Sequence, residues 1–304
     1  MNLAHLHLLL NHVPTIGFGF GIGLLAASLV RDSADLRRAG YVVFFGVALA
    51  AIPAYLSGNA ADFILQAEPE RRQDVITAHQ NAAMLALIPM EIVGLLGWLA
   101  LWRPRRWHQP AVLVLSVVTF LLMARAATIG GQIRHLEIVA PGAAAYAPPW
   151  PNPAAMGAAL VLDNPWVWPI CEVLHFVGLC LLFGVMLIVN LRLAGFIRGV
   201  PLADVNRLLP WAMAGLGINI VTGMLFFLAA PDQYTQNGAF AWKMGLVLLG
   251  GLSLLYPAMV EEEPDATFDI LRAAVTRKLM AGCSLAIWIG VIFFGRFLPY
   301  LGME

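Results

Sequence analysis

Residues 10–30 read LNHVPTIGFGFGIGLLAASLV and contain no Asp, Glu, Lys or Arg. At 1.5 Å per residue, a helix of this length extends about 32 Å and can cross a hydrocarbon core of about 30 Å. Because lipid offers the backbone no hydrogen-bond partner, such a run must be helical to span a membrane. The stretch therefore predicts a first transmembrane helix.

Seven further apolar runs follow, separated by charged or proline-rich stretches. The eight runs lie near residues 10–30, 39–57, 81–102, 110–131, 166–191, 210–230, 239–259 and 279–298. The composition agrees, with 60% hydrophobic residues, 12% charged residues and a mean hydropathy of +0.78. We therefore expect an all-α, polytopic integral membrane protein. The net charge of zero argues against a nucleic-acid partner.

The runs divide into two sets of four around a long Pro- and Ala-rich segment. Short connections make sequential helices antiparallel neighbours, which favours two four-helix bundles. We expect a His-rich bundle over residues 1–137, an outward loop over 138–165 and a second bundle over 166–304. The loop is longer than a tight helix connection and suits a cover over the helix ends.

Basic residues are concentrated in the loops on one side of the predicted helices, and this bias marks the cytoplasmic side. They are Arg31, Arg37, Arg38, Arg103, Arg105, Arg106, Arg192, Arg198, Arg207, Arg272, Arg277 and Lys278. Both termini are therefore expected outward, on the periplasmic side of a bacterial cytoplasmic (inner) membrane. The N-terminus lacks a basic region and a small-residue cleavage site, so we expect the first helix to be retained.

Four histidines, His7, His12, His79 and His135, lie at the same-side ends of three helices in the first half. Counting from the inner helix ends places three of them at one level, about 36 to 39 Å away, and His12 about two turns deeper. Imidazoles near lipid are costly unless they ligate, pair or face water. This outward end is therefore a candidate site.

Two imidazoles from diagonal helices can ligate the opposite faces of a haem. Helices one and three are diagonal in an up-down bundle, so we expect His12 and His79 as axial ligands, with His7 as the substitute for His12. Arg134 is then expected to contact a propionate, and His7 and His135 are expected to be second ligands or propionate and proton contacts. The chain contains no CxxCH motif, which excludes covalent c-type haem and leaves one or two b-type haems.

A bare metal ion is the alternative, because three imidazoles at one level supply ligands for copper or zinc. The ligands would be His7, His79 and His135. In a third interpretation, the histidines only form hydrogen bonds at wet helix ends.

Two charges are expected deeper in the same bundle. Glu91 lies 12 residues inward of His79, and Arg125 lies 10 residues inward of His135. Antiparallel counting places both about 15 to 18 Å from the histidine level, where they can form an ion pair. Such a pair can orient the helices, and an intramembrane carboxylate can also carry protons.

The second bundle has its own charged cluster. Glu172 and His175 are three residues apart and share a helix face, Lys243 opens helix seven, and Arg296 closes helix eight. One interpretation pairs Lys243 with Glu172. The other is a cavity for a quinone headgroup or an anionic group.

Motifs in both halves resemble uncharacterised bacterial membrane families. Those in residues 1–140 resemble four-helix families associated with haem binding; they are His5-x-His7, Asn11-His12-Val13-Pro14, Ser57-Gly58-Asn59-Ala60-Ala61, Ala78-His79 and Gly130-Gly131-Gln132-Ile133-Arg134-His135. Those in residues 166–260 resemble a family distantly similar to copper-resistance and b-type cytochrome bundles; they are Glu172-Val173-Leu174-His175, Asn190-Leu191-Arg192-Leu193 and Phe240-Ala241-Trp242-Lys243. The resemblance implies a redox or metal-handling role through His12, His79 and His135, with His175 and Lys243 in the second half.

Together these patterns favour a membrane-embedded, b-type cytochrome-like electron-transfer protein or subunit. It would link an outward-side cytochrome or other redox protein to the quinone pool, as an electron-transfer subunit rather than a stand-alone enzyme. Membrane lipid and quinone are its expected partners. Two alternatives remain: transport or handling of copper or another transition metal through the outward histidines, and a structural subunit of a larger membrane complex.

Overall fold

The computed structural model describes residues 3–65, 73–135, 152–259 and 270–301, and within these ranges it contains helices and no strand. The described helices are α1 (Leu3–Leu10), α2 (His12–Arg31), α3 (Ala34–Leu65), α4 (Gln73–Trp102), α5 (His108–Arg134), α6 (Pro153–Leu162), α7 (Val167–Ala194), α8 (Leu202–Asn206), α9 (Leu209–Ala229), α10 (Pro231–Thr235), α11 (Gly238–Ser253), α12 (Leu255–Met259) and α13 (Ile270–Leu301).

Eight described segments are long and apolar enough to cross a membrane, which confirms the predicted all-α fold of an integral membrane protein. Numbered in chain order as spans 1 to 8, they are Ala4–Arg31, Ala34–Asp62, Gln73–Trp102, His108–Ile133, Val167–Ala194, Leu202–Ala229, Gly238–Met259 and Val275–Leu298. Several extend beyond the predicted apolar runs, because helical backbone bonding continues into the polar residues that flank the hydrocarbon region.

The chain divides into two compact units, unit 1 (Met1–Gly157) and unit 2 (Ala158–Glu304). The boundary falls within α6, in the stretch predicted to be an outward loop. Residues 136–151 of that predicted loop lie outside the described residues.

Unit 1 is a ring of four helices. Each span packs against the next, and α5 of span 4 returns to α2 of span 1. The contact between α5 and α2 includes a hydrogen bond in which the side-chain amide of Gln109 donates to the hydroxyl of Ser28 at 3.0 Å. Spans 1 and 3 are therefore diagonal. Their N-terminal ends lie on the same side of unit 1 as the C-terminal ends of spans 2 and 4.

Glycines on span 1 turn one face of that helix toward span 2. A Cβ on Gly21 would lie 2.8 Å from the ring of Phe44, and a Cβ on Gly17 would meet Val47. Phe44 also packs edge to face on Phe18, with ring centroids 5.0 Å apart. Because close contacts of this kind determine the rotation of span 1 about its own axis, they also decide which of its side chains face the interior.

Unit 2 has a different order of neighbours. Spans 5 and 6 approach closely, since a Cβ on Gly215 would lie 2.5 Å from the backbone oxygen of Gly178. Span 5 also packs against span 8, which packs against span 7. Asn190 of span 5 donates to Ser284 of span 8 at 3.2 Å, and Ser284 shares a 3.1 Å hydrogen bond with Ser253 of span 7. Span 8 therefore contacts both span 5 and span 7, and Ser284 is bonded to each of them.

Candidate functional site

His7, on α1, is held against span 2. Its Nδ1 atom lies 2.9 Å from the backbone oxygen of Ala54 and 3.5 Å from the hydroxyl of Ser57. A Cβ on Gly58 would lie 3.0 Å from Cε1 of His7, so the glycine leaves room for the imidazole to lie on the helix. The side chain is partly buried.

His79, on α4, is held against span 4 in the same way. Its Nδ1 atom lies 2.9 Å from the backbone oxygen of Ala126. A Cβ on Gly130 would lie 2.8 Å from Cε1 of the imidazole. Val75 and Ala126 belong to a buried apolar cluster on this face of spans 3 and 4, which packs the helices beside the ring.

These hydrogen bonds determine where the imidazole protons lie. A backbone carbonyl accepts hydrogen bonds and has no proton to donate, so Nδ1 must be the donor in both His7 and His79. In the neutral imidazole, the lone pair that can bind a metal is then on Nε2. Bonding of the remote nitrogen to a carbonyl is also how proteins orient a ligating histidine.

The two histidines occupy equivalent positions in successive helix pairs. Each imidazole bonds to a carbonyl 47 residues further along the chain. The two imidazoles also lie within electrostatic range of each other. A shift of 72 residues aligns four pairs: His7 with His79, Arg31 with Arg103, Ala54 with Ala126, and Gly58 with Gly130. Unit 1 thus presents two similarly held imidazoles from diagonal spans.

This 72-residue offset is the signal that the sequence interpretation missed. The repeat lies within the first half of the chain, between one pair of spans and the next. The alanine and glycine partners also have no donor or acceptor side chain that would mark them in a search for ligands. Their importance follows from a backbone oxygen and from the absence of a Cβ, which become visible only once the helices are packed.

His12 lies differently from the expected axial ligand. Its side chain is exposed on span 1 and makes no hydrogen bond or ion pair with the described residues. Asn11, between α1 and α2, keeps helical dihedral angles (φ −59°, ψ −27°), so the five residues from His7 to His12 correspond to about 500° and leave about 140° between the two side chains. When His7 faces the interior, His12 is therefore turned away from it.

The end of span 4 carries the other two predicted residues. His135 follows α5, is exposed, and donates its backbone N–H to the oxygen of Gly131 at 3.0 Å. The side chain of Arg134 lies outside the described residues. The predicted propionate contacts of both residues stay predictions.

A bare metal ion needs more protein ligands than a haem. Among the described residues, no group of three or more His, Cys, Asp or Glu side chains is arranged to hold a metal ion. The two imidazoles of His7 and His79 are the donor set that the described part of unit 1 brings together.

Glu91 and Arg125 are not brought together as an ion pair. The Oε1 atom of Glu91 is buried and has no hydrogen-bond partner in the described part of the chain. Arg125, on span 4, is partly buried and has interactions of its own. A buried carboxylate oxygen without a partner therefore lies on span 3, about 18 Å along the helix from His79.

In unit 2, His175 repeats the arrangement with a side-chain acceptor. Its Nδ1 atom lies 2.7 Å from Oγ1 of Thr222, again 47 residues further on. Thr222 uses its own proton to donate to the backbone oxygen of Ile218 at 2.7 Å. The hydroxyl oxygen must therefore accept from His175, and the lone pair of this imidazole is also on Nε2.

Lys243, on span 7, lies within electrostatic range of His175, on span 5. Its Nζ would be 3.6 Å from a Cβ on Gly295, so the side chain reaches span 8. Glu172 is exposed and accepts a hydrogen bond from Trp168 Nε1 at 3.1 Å. The predicted pairing of Lys243 with Glu172 is not formed.

Two further groups lie near this end of unit 2. Arg296 is exposed on span 8, next to the glycine that Lys243 approaches. Tyr234, in the short helix between spans 6 and 7, is influenced by Glu172. Burial raises the pKa of Tyr234 above its ordinary value, and the negative charge of Glu172 raises it further.

The donor types in unit 1 are those that haem iron accepts as axial ligands. Two imidazoles with their Nδ1 protons engaged can offer two Nε2 atoms, and the glycines beneath them allow flat rings to lie close to the helices. Comparison of the chain with protein-family models, with curated proteins and with solved structures finds no match, so the resemblances drawn from its motifs stay predictions.

Proposed function

We propose that the protein is a membrane-embedded, b-type cytochrome-like electron-transfer protein, or a subunit with that role. His7 and His79 would be the axial ligands through their Nε2 atoms. Electrons would pass between a redox partner outside the lipid and the quinone pool.

One observation carries the proposal: the matched pair of imidazoles on diagonal spans. Each ring is oriented by an Nδ1–H hydrogen bond of 2.9 Å to a backbone oxygen of the following span. A carbonyl of a transmembrane helix cannot leave its place without disturbing the helix, so both rings are pre-oriented. The proposed axial pair is therefore His7 and His79. His7 takes the place of His12, for which it was the predicted substitute.

The choice of haem over a bare ion follows from the number of ligands. Zinc and copper sites are completed by three or four protein ligands, whereas the macrocycle supplies four of the six ligands of haem iron. Two imidazoles are therefore sufficient for a haem. When bound, the haem would supply a one-electron redox centre, and the residues of unit 1 would orient it and exclude water.

The test is an absorption spectrum of the detergent-purified protein, oxidised and then reduced with dithionite. We expect a Soret band and sharp α and β bands in the reduced state. In His7→Asn and His79→Asn the amide can still donate to Ala54 or Ala126, but the ligating Nε2 is lost. Both variants should therefore fold and lose the low-spin spectrum.

His12→Asn is the matched control, since it removes an exposed imidazole from the same helix. It should keep the spectrum of the native protein. Loss of the bands in His12→Asn with retention in His7→Asn would support the original His12 and His79 pair instead. Stoichiometric copper or zinc without haem bands would overturn the proposal in favour of metal handling.

A further inference from the structure

Unit 2 contains a hydrogen-bond acceptor, His175, and a cation, Lys243, that lie within electrostatic range of each other. His175 donates through Nδ1 to Thr222, so its Nε2 atom can accept a proton or a hydrogen bond. Lys243 carries an ammonium group and lies within electrostatic range of the imidazole. One group offers a lone pair, and the other offers positive charge and N–H donors.

Lys243 has no carboxylate partner among the described residues. Its Nζ would lie 3.6 Å from a Cβ on Gly295 of span 8. Glu172 is directed to Trp168 instead, at 3.1 Å. Ionisable side chains in transmembrane segments are costly unless they pair with another charge or contact a substrate. Because Lys243 has no carboxylate partner among the described residues, contact with a substrate is the other way to offset this cost.

Aromatic rings line the same region of spans 5 and 6. The ring of Phe226 lies 5.8 Å from the imidazole of His175, and Trp168 lies 4.9 Å from Phe226, centroid to centroid. A flat, apolar ligand can pack against these rings, whereas a small hydrated ion gains nothing from them.

We propose that unit 2 binds the headgroup of a quinone or quinol between His175 and Lys243. A quinol hydroxyl would donate to Nε2 of His175, and a quinone carbonyl would accept from Nζ of Lys243. The ring would pack against Phe226 and Trp168, and the apolar tail would remain in lipid. The assignment gives a place to the quinone of the proposed function and rests on it, but the binding itself needs no haem.

The experiment titrates the detergent-purified protein with decylubiquinone and, under argon, with decylubiquinol, and follows the binding of both by isothermal titration calorimetry. Lys243→Met keeps the length and apolar stem of the side chain but removes the charge. His175→Asn keeps the donor to Thr222 and removes Nε2. Lys243→Met is expected to raise the Kd of both ligands by about tenfold or more, the effect of losing one hydrogen bond in a site without water. His175→Asn is expected to raise the Kd of decylubiquinol by a similar factor, because only the quinol has a hydroxyl that can donate to Nε2.

Two controls separate this proposal from others. Arg296→Gln removes a neighbouring but exposed cation and should leave the Kd unchanged. His7→Asn should remove haem bands without changing the Kd, so failure of the haem assignment and failure of the quinone site are distinguishable. Unchanged decylubiquinol binding in both Lys243→Met and His175→Asn would overturn the proposal.

Laurate, titrated in the same way, tests for a different ligand. A fatty acid can use the ammonium of Lys243 but has no need of a proton acceptor at His175. Binding of laurate that depends on Lys243, with no binding of decylubiquinone, would show a site for anionic lipids and would also overturn the proposal.

Discussion

The Nδ1 atom of His79 lies 2.9 Å from the backbone oxygen of Ala126, one span further along the chain. His7 and Ala54 repeat this relationship at the same distance and the same 47-residue interval. A histidine bonded to a carbonyl carries its proton on Nδ1 and keeps Nε2 for a ligand. Two such histidines on diagonal helices are the basis of the haem proposal.

The glycine beneath each imidazole should be needed for ligation. In Gly130→Ala the new methyl group would lie 2.8 Å from Cε1 of His79, so the ring must move away from Ala126. We expect a lower haem-to-protein ratio, measured by absorbance against protein concentration, and a lower melting temperature. Gly23→Ala is the control, because a Cβ there has no neighbour within 4 Å. Equal haem content in the two variants would contradict the role of Gly130.

Glu91 and Arg125 should behave independently in stability measurements. Because the buried Oε1 of Glu91 has no partner among the described residues, Glu91→Gln breaks no ion pair. We expect stability to be unchanged or increased. In a double-mutant cycle with Arg125→Gln, the coupling free energy should stay within about 0.5 kcal/mol. A coupling of several kcal/mol, measured by unfolding in detergent, would instead establish the ion pair predicted from the sequence.

The contact between spans 5 and 6 should not tolerate a methyl group. A Cβ on Gly215 would lie 2.5 Å from the Gly178 oxygen and 2.7 Å from the Leu182 nitrogen, and neither backbone atom can rotate away. Gly215→Ala should therefore reduce stability by about 1 to 3 kcal/mol, through overpacking. Gly217→Ala, on the same span, meets nothing within 4 Å and should be neutral. Thermal unfolding of the two variants would compare them, and equal melting temperatures would argue against the close approach.

Tyr234 should contribute a stability that is lost at high pH. Its folded-state pKa is raised above the ordinary value of about 10 by burial and by Glu172. The unfolded chain therefore releases this proton first, so the contribution is complete below pH 10 and declines as the pH rises through the folded pKa. Tyrosinate absorbance, with Tyr234→Phe as the reference, should show the shift. Glu172→Gln should lower the pKa of Tyr234 toward its ordinary value, and an unchanged titration would exclude the influence of Glu172.

The eight spans could be predicted from the sequence because their signal is local. A run such as residues 10–30 is too long and too apolar for another environment, and the bilayer requires its backbone to be helical. Antiparallel packing of neighbours in unit 1, and so the diagonal placement of spans 1 and 3, followed from short connections. Depth along a helix was also accessible, since it depends only on residue counts.

Rotation about each helix axis was decided by the tertiary structure. The contact of Gly21 with Phe44 turns span 1 so that His7 faces the interior and His12 does not. Likewise, Lys243 reaches toward Gly295 while Glu172 bonds to Trp168. In a chain that is apolar on all faces, hydrophobic periodicity does not distinguish the inner side of a helix from its lipid side. Close packing between neighbouring helices makes that distinction, and with it the choice of residues that form the site.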